Sequence, residues 1–298
     1  MPAEALTGSP CMQNMKAKLS KFETEEGRLK GLAVKTRPDD VFIVTTPKAG
    51  TTWMQQICHQ LRCLAASGDV QGMKFEEISD VIPFIELAGD LGIDLEAEQV
   101  AQPRMFKTHC WREHCPKGAK YIIVVRDPID VAVSFYKFFE GWFFEPGELD
   151  ISEFVQDFIL KRGKPSSQME NASYWEHLLS WWPHRHDSNV LWLFYEDMLE
   201  DLEGTVRKVA KFIDCGTKDD AIIEEAVKRS SFKFMSENSH KFDEHVSKRL
   251  RNPAMGLPPD AGSTGSKVRQ GSKGSGKVKL PEDIQAALYA KWAPVSLL

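Results

Sequence analysis

Residues 41–53 read VFIVTTPKAGTTW, and the fold follows from that stretch. Val41, Phe42, Ile43 and Val44 form a continuous apolar run, the pattern of a strand buried on both faces of a parallel sheet. Pro47 cannot donate to a ladder and ends the run. Lys48, Ala49 and Gly50 make a short turn, and Thr51 and Thr52 open a helix that continues through Ile57 and Leu61. Strand, small-residue turn and helix N-terminus in this order make an anion site. The free N–H groups of the first helical turn and the positive end of its dipole point at one spot. Gly50 lets the backbone come close, the threonine hydroxyls add donors, and Lys48 adds a full positive charge. In the nucleotide triphosphatase version of such a loop, GxxxxGK[ST], the lysine follows the glycine-rich turn; here it precedes it.

Working outward, the helix from Thr51 to about Ala66 carries Ile57, Leu61 and Leu64 at helical spacing and ends at Ser67-Gly68-Asp69. Cys58 and Cys63 on it read as core thiols. Residues 75–92, interrupted by Pro83, read as a lid or pocket wall. In a second strand, Arg104–His109, alternation sends Lys107 and His109 out of the same face at its end. Tyr121–Val125 is a third strand, running into Asp127 as N-cap and Pro128 as the first residue of a helix that carries Ser134. A further helix covers about Asn171–Trp182, and Val190–Tyr195 is a fourth strand. Asp197 and Glu200 stand at capping-box spacing, before a helical stripe of Leu202, Val206, Val209 and Ile213. Strands alternating with helices imply an α/β fold: a single domain with a central parallel sheet flanked by helices. That domain spans 36–298, preceded by a flexible N-terminal arm over 1–35 with one short helix near Met15–Phe22. Residues 253–279 are rich in Gly, Ser and Lys. They suit either a linker or a basic loop that wraps a phosphate, since Lys267, Arg269, Lys273, Lys277 and Lys279 are interleaved with glycines and no acid.

The 298 residues suffice for a substantial core. A net charge of -5 argues against a general nucleic-acid binder. The N-terminus lacks the basic and apolar regions of a secretory signal, and no apolar run reaches the roughly 18 residues of a membrane span. These features point to the cytoplasm, with six cysteines as free thiols.

Six separated motifs then agree: TTPKAGTTW at 45–53, KTH at 107–109, RDPIDVAVSFY at 126–136, FYEDM at 194–198, SSFKFM at 230–235 and RQGSKGSGK at 269–277. In order and spacing they resemble the cytosolic sulfotransferases, over about residues 35–292. The resemblance implies the sulfotransferase fold, with the stretch at 45–53 as its P-loop-like phosphosulfate-binding loop. It also implies transfer of a sulfuryl group from 3′-phosphoadenosine 5′-phosphosulfate (PAPS) to a hydroxyl or amine of a small-molecule acceptor, leaving 3′-phosphoadenosine 5′-phosphate (PAP). On that resemblance Lys48, Ala49, Gly50, Thr51 and Thr52 hold the 5′-phosphosulfate, and Trp53 stacks on adenine. Arg126 and Ser134 grip the 3′-phosphate, with Arg269, Gln270 and Gly271 as its second clamp. Tyr195, Ser230, Phe232 and Met235 are base-side contacts. Lys107, His109 and Lys48 are the catalytic group, and Phe22, Ile82, Phe84, Phe138 and Trp142 are acceptor-pocket walls.

The chemistry accounts for these residue types. Sulfuryl transfer is an in-line displacement with a loose transition state, like phosphoryl transfer, so a fixed cation such as Lys48 suits the leaving oxygen. Lys107 suits the sulfuryl oxygens, and His109, titrating near neutrality, suits the acceptor proton. No metal is required: the donor already carries its anionic leaving group, and His109-Cys110 with His114-Cys115 lacks the spacing of a strong zinc site. Glu196 and Asp197 read as structural. The chain departs from the family at Ala49, where serine is common, at Gln270, often basic, and at Gly276, often tryptophan. The family's dimer motif is not recognisable around Pro281–Ala286, which leaves a homodimer open but not by that mode. Two other readings compete: a small-molecule kinase, disfavoured by the position of Lys48 and by Arg126 after the third strand, and a nucleotide binder without turnover.

Overall fold

In the computed structural model, residues 8–67, 72–216, 219–262, 267–268, 274 and 280–296 are described. Four parallel strands, β1 (Val41–Thr45), β2 (Met105–Thr108), β3 (Lys120–Val125) and β4 (Val190–Phe194), lie in the order β2-β1-β3-β4. Val44 pairs with Thr108, Thr45 with Val124, and Val125 with Phe194. All four strands therefore finish at one edge. The chain steps from β1 outward to β2 and then back across to β3, so the order reverses beside β1, where open α/β sheets place their ligands.

Both faces of the sheet are covered, which explains the unbroken apolar runs. Phe42, Val44, Phe106, Tyr121 and Ile123 face one core, shared with Phe135, Phe139 and Trp181. Val41, Ile43, Ile122 and Val124 face the other, packed on Met54, Ile57 and Leu61 and on Val206, Val209 and Ile213. Cys58 and Cys63 are buried within the helix Thr51–Ser67. A buried ion pair, Arg104 to Asp40 at 2.6 Å, ties the entry of β2 to that of β1.

The N-terminal residues differ from a flexible arm with one helix. Two helices form, α1 (Pro10–Leu19), capped by Ser9, and α2 (Glu25–Leu32), capped by Thr24. Met12 and Met15 are fully buried in the first core, which supplies the apolar partner that local patterning does not reveal. Beyond the phosphate loop come α3 (Thr51–Ser67), α4 (Ile78–Val81) and α5 (Ile85–Ala88). Helix α2 lies directly against α5: a Cβ on Gly31 would stand 1.7 Å from the carbonyl oxygen of Ile85. The capping expectation at Asp197 is also corrected. The helix Tyr195–Glu200 begins straight from β4, and Asp201 caps the next one, accepting from the Gly204 N–H at 2.7 Å. Asp197 and Glu200 thus lie within that helix rather than at its cap. Asp127 and Pro128 do open α6 (Pro128–Phe139), with Asp127 Oδ1 accepting from Ile129 and Asp130.

Candidate active site

The strand ends open into a cavity of about 1900 Å³. Its donor end is made by the turns that follow β1, β3 and β4. The loop 46–50 bends sharply: Lys48 sits at φ 72° and Gly50 at φ 108°. A Cβ on Gly50 would meet the Tyr195 ring at 2.8 Å, so only glycine fits there. Thr45 and Thr51 share a hydroxyl hydrogen bond of 2.5 Å that pins the helix start to the strand end. Arg126 follows β3; its guanidinium lies 4.3 Å from the Tyr195 ring centre, donates to the Lys48 carbonyl at 3.3 Å and reaches Asp130 at 3.9 Å. Asp130 in turn accepts from the Gly274 N–H at 2.8 Å, bringing the glycine-rich segment to α6. Trp53 packs edge-on to Tyr195 at 5.4 Å and donates its indole N–H to the Ser230 carbonyl at 2.7 Å.

Ser134, Thr52, Phe232 and Met235 complete this wall. Ser230 stands behind Trp53 rather than on the lining. Ala49, expected on the phosphosulfate, is instead fully buried in the first core, its side chain turned away from the cavity lining. Arg269, Gln270 and Gly271 lie outside the described residues, as does Gly276. Arg126 Nε, on the cavity lining, is buried with no hydrogen-bond partner among the described residues. An unsatisfied guanidinium donor of that kind, beside a glycine-only turn, fits a polyanionic nucleotide.

The other end holds His109 and Lys107. His109 follows β2, and its Nδ1 lies 2.8 Å from the Thr45 carbonyl oxygen. A carbonyl only accepts, so Nδ1 holds the proton and Nε2 keeps a lone pair. Burial, and then the neighbouring Lys107 ammonium, push the His109 pKa well below 6.5. The imidazole is therefore neutral at physiological pH. Glu86 fixes its backbone: one carboxylate oxygen accepts from the His109 N–H at 2.7 Å and from the Thr108 hydroxyl at 2.9 Å. The Lys107 ammonium lies 4.3 Å from the Phe84 ring centre and 2.7 Å from Glu244, and Lys48 lies 4.0 Å from the Phe138 ring centre.

Among the expected acceptor walls, Phe22, Phe84, Phe138 and Trp142 line the cavity, with Phe22 edge-on to Trp142 at 5.8 Å. Ile82 does not. It is fully buried in the second core with Met54 and Ile57, because the bend at Pro83 turns Phe84 toward the cavity and leaves Ile82 behind. Phe143 and Phe144 are likewise core. Cys110 and Cys115 are buried, and His114 packs edge-on to Trp111. Glu196 accepts from the Asp127 N–H at 3.0 Å, a structural role. Residues absent from the sequence reading are Glu86 and Glu244. Nothing local marks either: one sits in the apolar run FIELA, the other in a mixed polar stretch.

Residues 38–290 match the family described as Sulfotransferase domain. The chain is 33% identical over 213 residues to human Sulfotransferase 1E1, covering 69% of each protein, and 29% identical over 245 residues to bovine Sulfotransferase 1A1, covering 80% of this chain and 76% of that one. Two solved structures share the fold. Retinol dehydratase in complex with androsterone and inactive cofactor PAP gives a TM-score of 0.67 at 21% identity, covering 97% of this chain and 94% of that one. Mouse sulfotransferase SULT7A1 complexed with PAP gives 0.66 at 22%, covering 92% and 91%. The chain belongs to the sulfotransferase family and is a PAPS-dependent transferase.

Proposed function

We propose that this enzyme sulfonates a hydroxyl or amine of a largely apolar small molecule, with His109 as general base and Lys48 and Lys107 as electrostatic stabilisers. One observation carries the reading: a histidine whose Nδ1 is committed to the Thr45 carbonyl shares a cavity wall with both lysines. PAPS supplies an activated sulfuryl group with its own anionic leaving group. The loop 46–52 and Arg126 hold the two phosphate ends, with Ser134 beside Arg126 at the 3′-phosphate. His109 Nε2 receives the acceptor proton, which a neutral imidazole can do without first losing one. Lys48 offsets charge growing on the leaving oxygen, and Lys107 offsets charge on the transferring oxygens.

The aromatic walls Phe22, Phe84, Phe138 and Trp142 favour a flat apolar acceptor, and the androsterone bound in the retinol dehydratase complex is of that kind. Among the described residues no helix is long and apolar enough to cross a membrane, and the six cysteines form no disulfide; a cytoplasmic setting is part of the proposal. Incubation with sulfur-labelled PAPS and a panel of phenols, steroid alcohols and amines tests the reading. Labelled product from wild type but not from His109→Ala supports it; equal turnover by the two removes His109 as base. PAP binding without turnover of any acceptor favours the nucleotide-binder reading.

A further inference from the structure

Among the described residues three non-glycine residues adopt positive φ: Lys48, Asp214 and Glu244. Asp214 ends a helix, where that conformation is ordinary. Lys48 forms the phosphate loop. Glu244, at φ 60° and ψ 34°, stands at the start of a helix in a conformation that a glutamate adopts only under strain. It is kept in place by Glu77, whose carboxylate accepts from the Val246 and Ser247 N–H groups at 2.8 and 3.1 Å, fixing the start of the helix His245–Arg251.

The strained backbone delivers the Glu244 carboxylate into the cavity. One of its oxygens takes two ammonium groups, Lys107 at 2.7 Å and Lys267 at 2.5 Å. Lys267 also lies 5.4 Å from the centre of the Phe138 ring, over which Lys48 sits at 4.0 Å. Three cations from three distant segments thus converge where the sulfuryl group passes from donor to acceptor. Resting on the sulfotransferase reading, we infer that Lys267 is a further catalytic cation, contacting the transferring group beside Lys107, and that Glu244 is the positioning residue holding the two together.

The electrostatics agree. Burial resists the charge on Glu244, but Lys107 and Lys267 override it and hold its carboxyl well below the usual range. Burial draws Lys267 down to about 8, and Glu244 is the strongest influence holding it up. Without that carboxylate the buried ammonium would lose its proton more readily. The bare pair Lys107 and Lys267 would also repel each other, and one lysine would swing out of the site.

The test uses the full-length enzyme and needs no identified acceptor. Vanadate, which takes a trigonal-bipyramidal geometry, is titrated into the PAP-saturated protein by calorimetry. Lys267→Met is expected to weaken vanadate by roughly ten- to a hundredfold while leaving PAP affinity within about twofold, and Lys267→Arg to restore most of it. Glu244→Gln should weaken vanadate similarly, and the double variant should be little worse than either single one, because both act on one cluster. With any acceptor that turns over, kcat should fall and KM should hold. Vanadate affinity unchanged in Lys267→Met and Glu244→Gln overturns the proposal. Failure of the wild type to bind PAP overturns instead the sulfotransferase reading beneath it.

Discussion

The two ends of the cavity are built by different kinds of chain. Most of the donor end consists of residues that immediately follow strands, 46–52 after β1, Arg126 after β3 and Tyr195 after β4, with Ser134 on α6 and Phe232 and Met235 added from later in the chain. The strand-end positions are inherited from the ladder register, so each of those residues sits a fixed few positions beyond an apolar run. The acceptor end draws Phe22 from the N-terminal region, Phe84 from the segment before α5, Trp142 from beyond α6, and Glu244 and Lys267 from the C-terminal third. Nothing but tertiary packing brings them together. A site written at strand ends is readable from spacing, whereas one gathered from loops is not.

That contrast can be broken at the point where the two ends meet. His109→Ala should lower kcat by roughly 10²–10⁴, the range for loss of a general base, while PAP affinity stays within about twofold. Parallel loss of PAP binding, measured by calorimetry, would mean that the ends are not separable.

At the donor end, Arg126→Ala should weaken PAP by roughly ten- to a hundredfold, as expected for lost charge-assisted hydrogen bonds. The analogue lacking the 3′-phosphate should lose much less. Equal losses for the two ligands would take Arg126 out of the 3′-phosphate clamp.

The pH dependence sharpens the same division. His109 works deprotonated, and its pKa lies well below 6.5, so kcat/KM should stay level as pH falls through 6.5 and decline about tenfold per unit only well below that value. Burial is the main cause of that position; of the charged groups facing it, Lys107 and Lys267 lower it further and Glu244 raises it. An acid limb centred at 6.5 or above would contradict a desolvated, neutral base.

The smallest effect is expected at the mouth. Phe22→Ala removes an edge-on contact with Trp142 from the acceptor wall, and should raise acceptor KM by about three- to tenfold with PAP affinity unchanged. A change in PAP affinity instead would place Phe22 in the donor site.

The same physical division separates what the sequence reveals from what it hides. The strands are legible, β1, β3 and β4 from continuous apolar runs and β2 from alternation, and so is the loop, because Gly50 and Lys48 have chemical reasons to stand where they do. Ile82 misleads: an apolar residue beside a lid proline looks identical whether it faces ligand or core, and only the bend at Pro83 decides. Asp197 misleads because a strand can run directly into a helix without a cap. One short N-terminal helix is legible, but the second helix and the firm packing are not, because Met12 and Met15 find their partners in residues far along the chain. Glu86 and Glu244 are silent for the same reason, since a carboxylate that binds a backbone amide or two lysines across the fold leaves no periodic trace.

The central claim is that the edge formed by β1, β3 and β4 reads a 3′-phosphorylated adenosine nucleotide. Calorimetric titration with PAP beside ADP tests it directly. The account predicts tight binding of PAP and weak binding of ADP. Equal binding of both would show that Arg126 and Ser134 do not select the 3′-phosphate, and would contradict the assignment of the donor end.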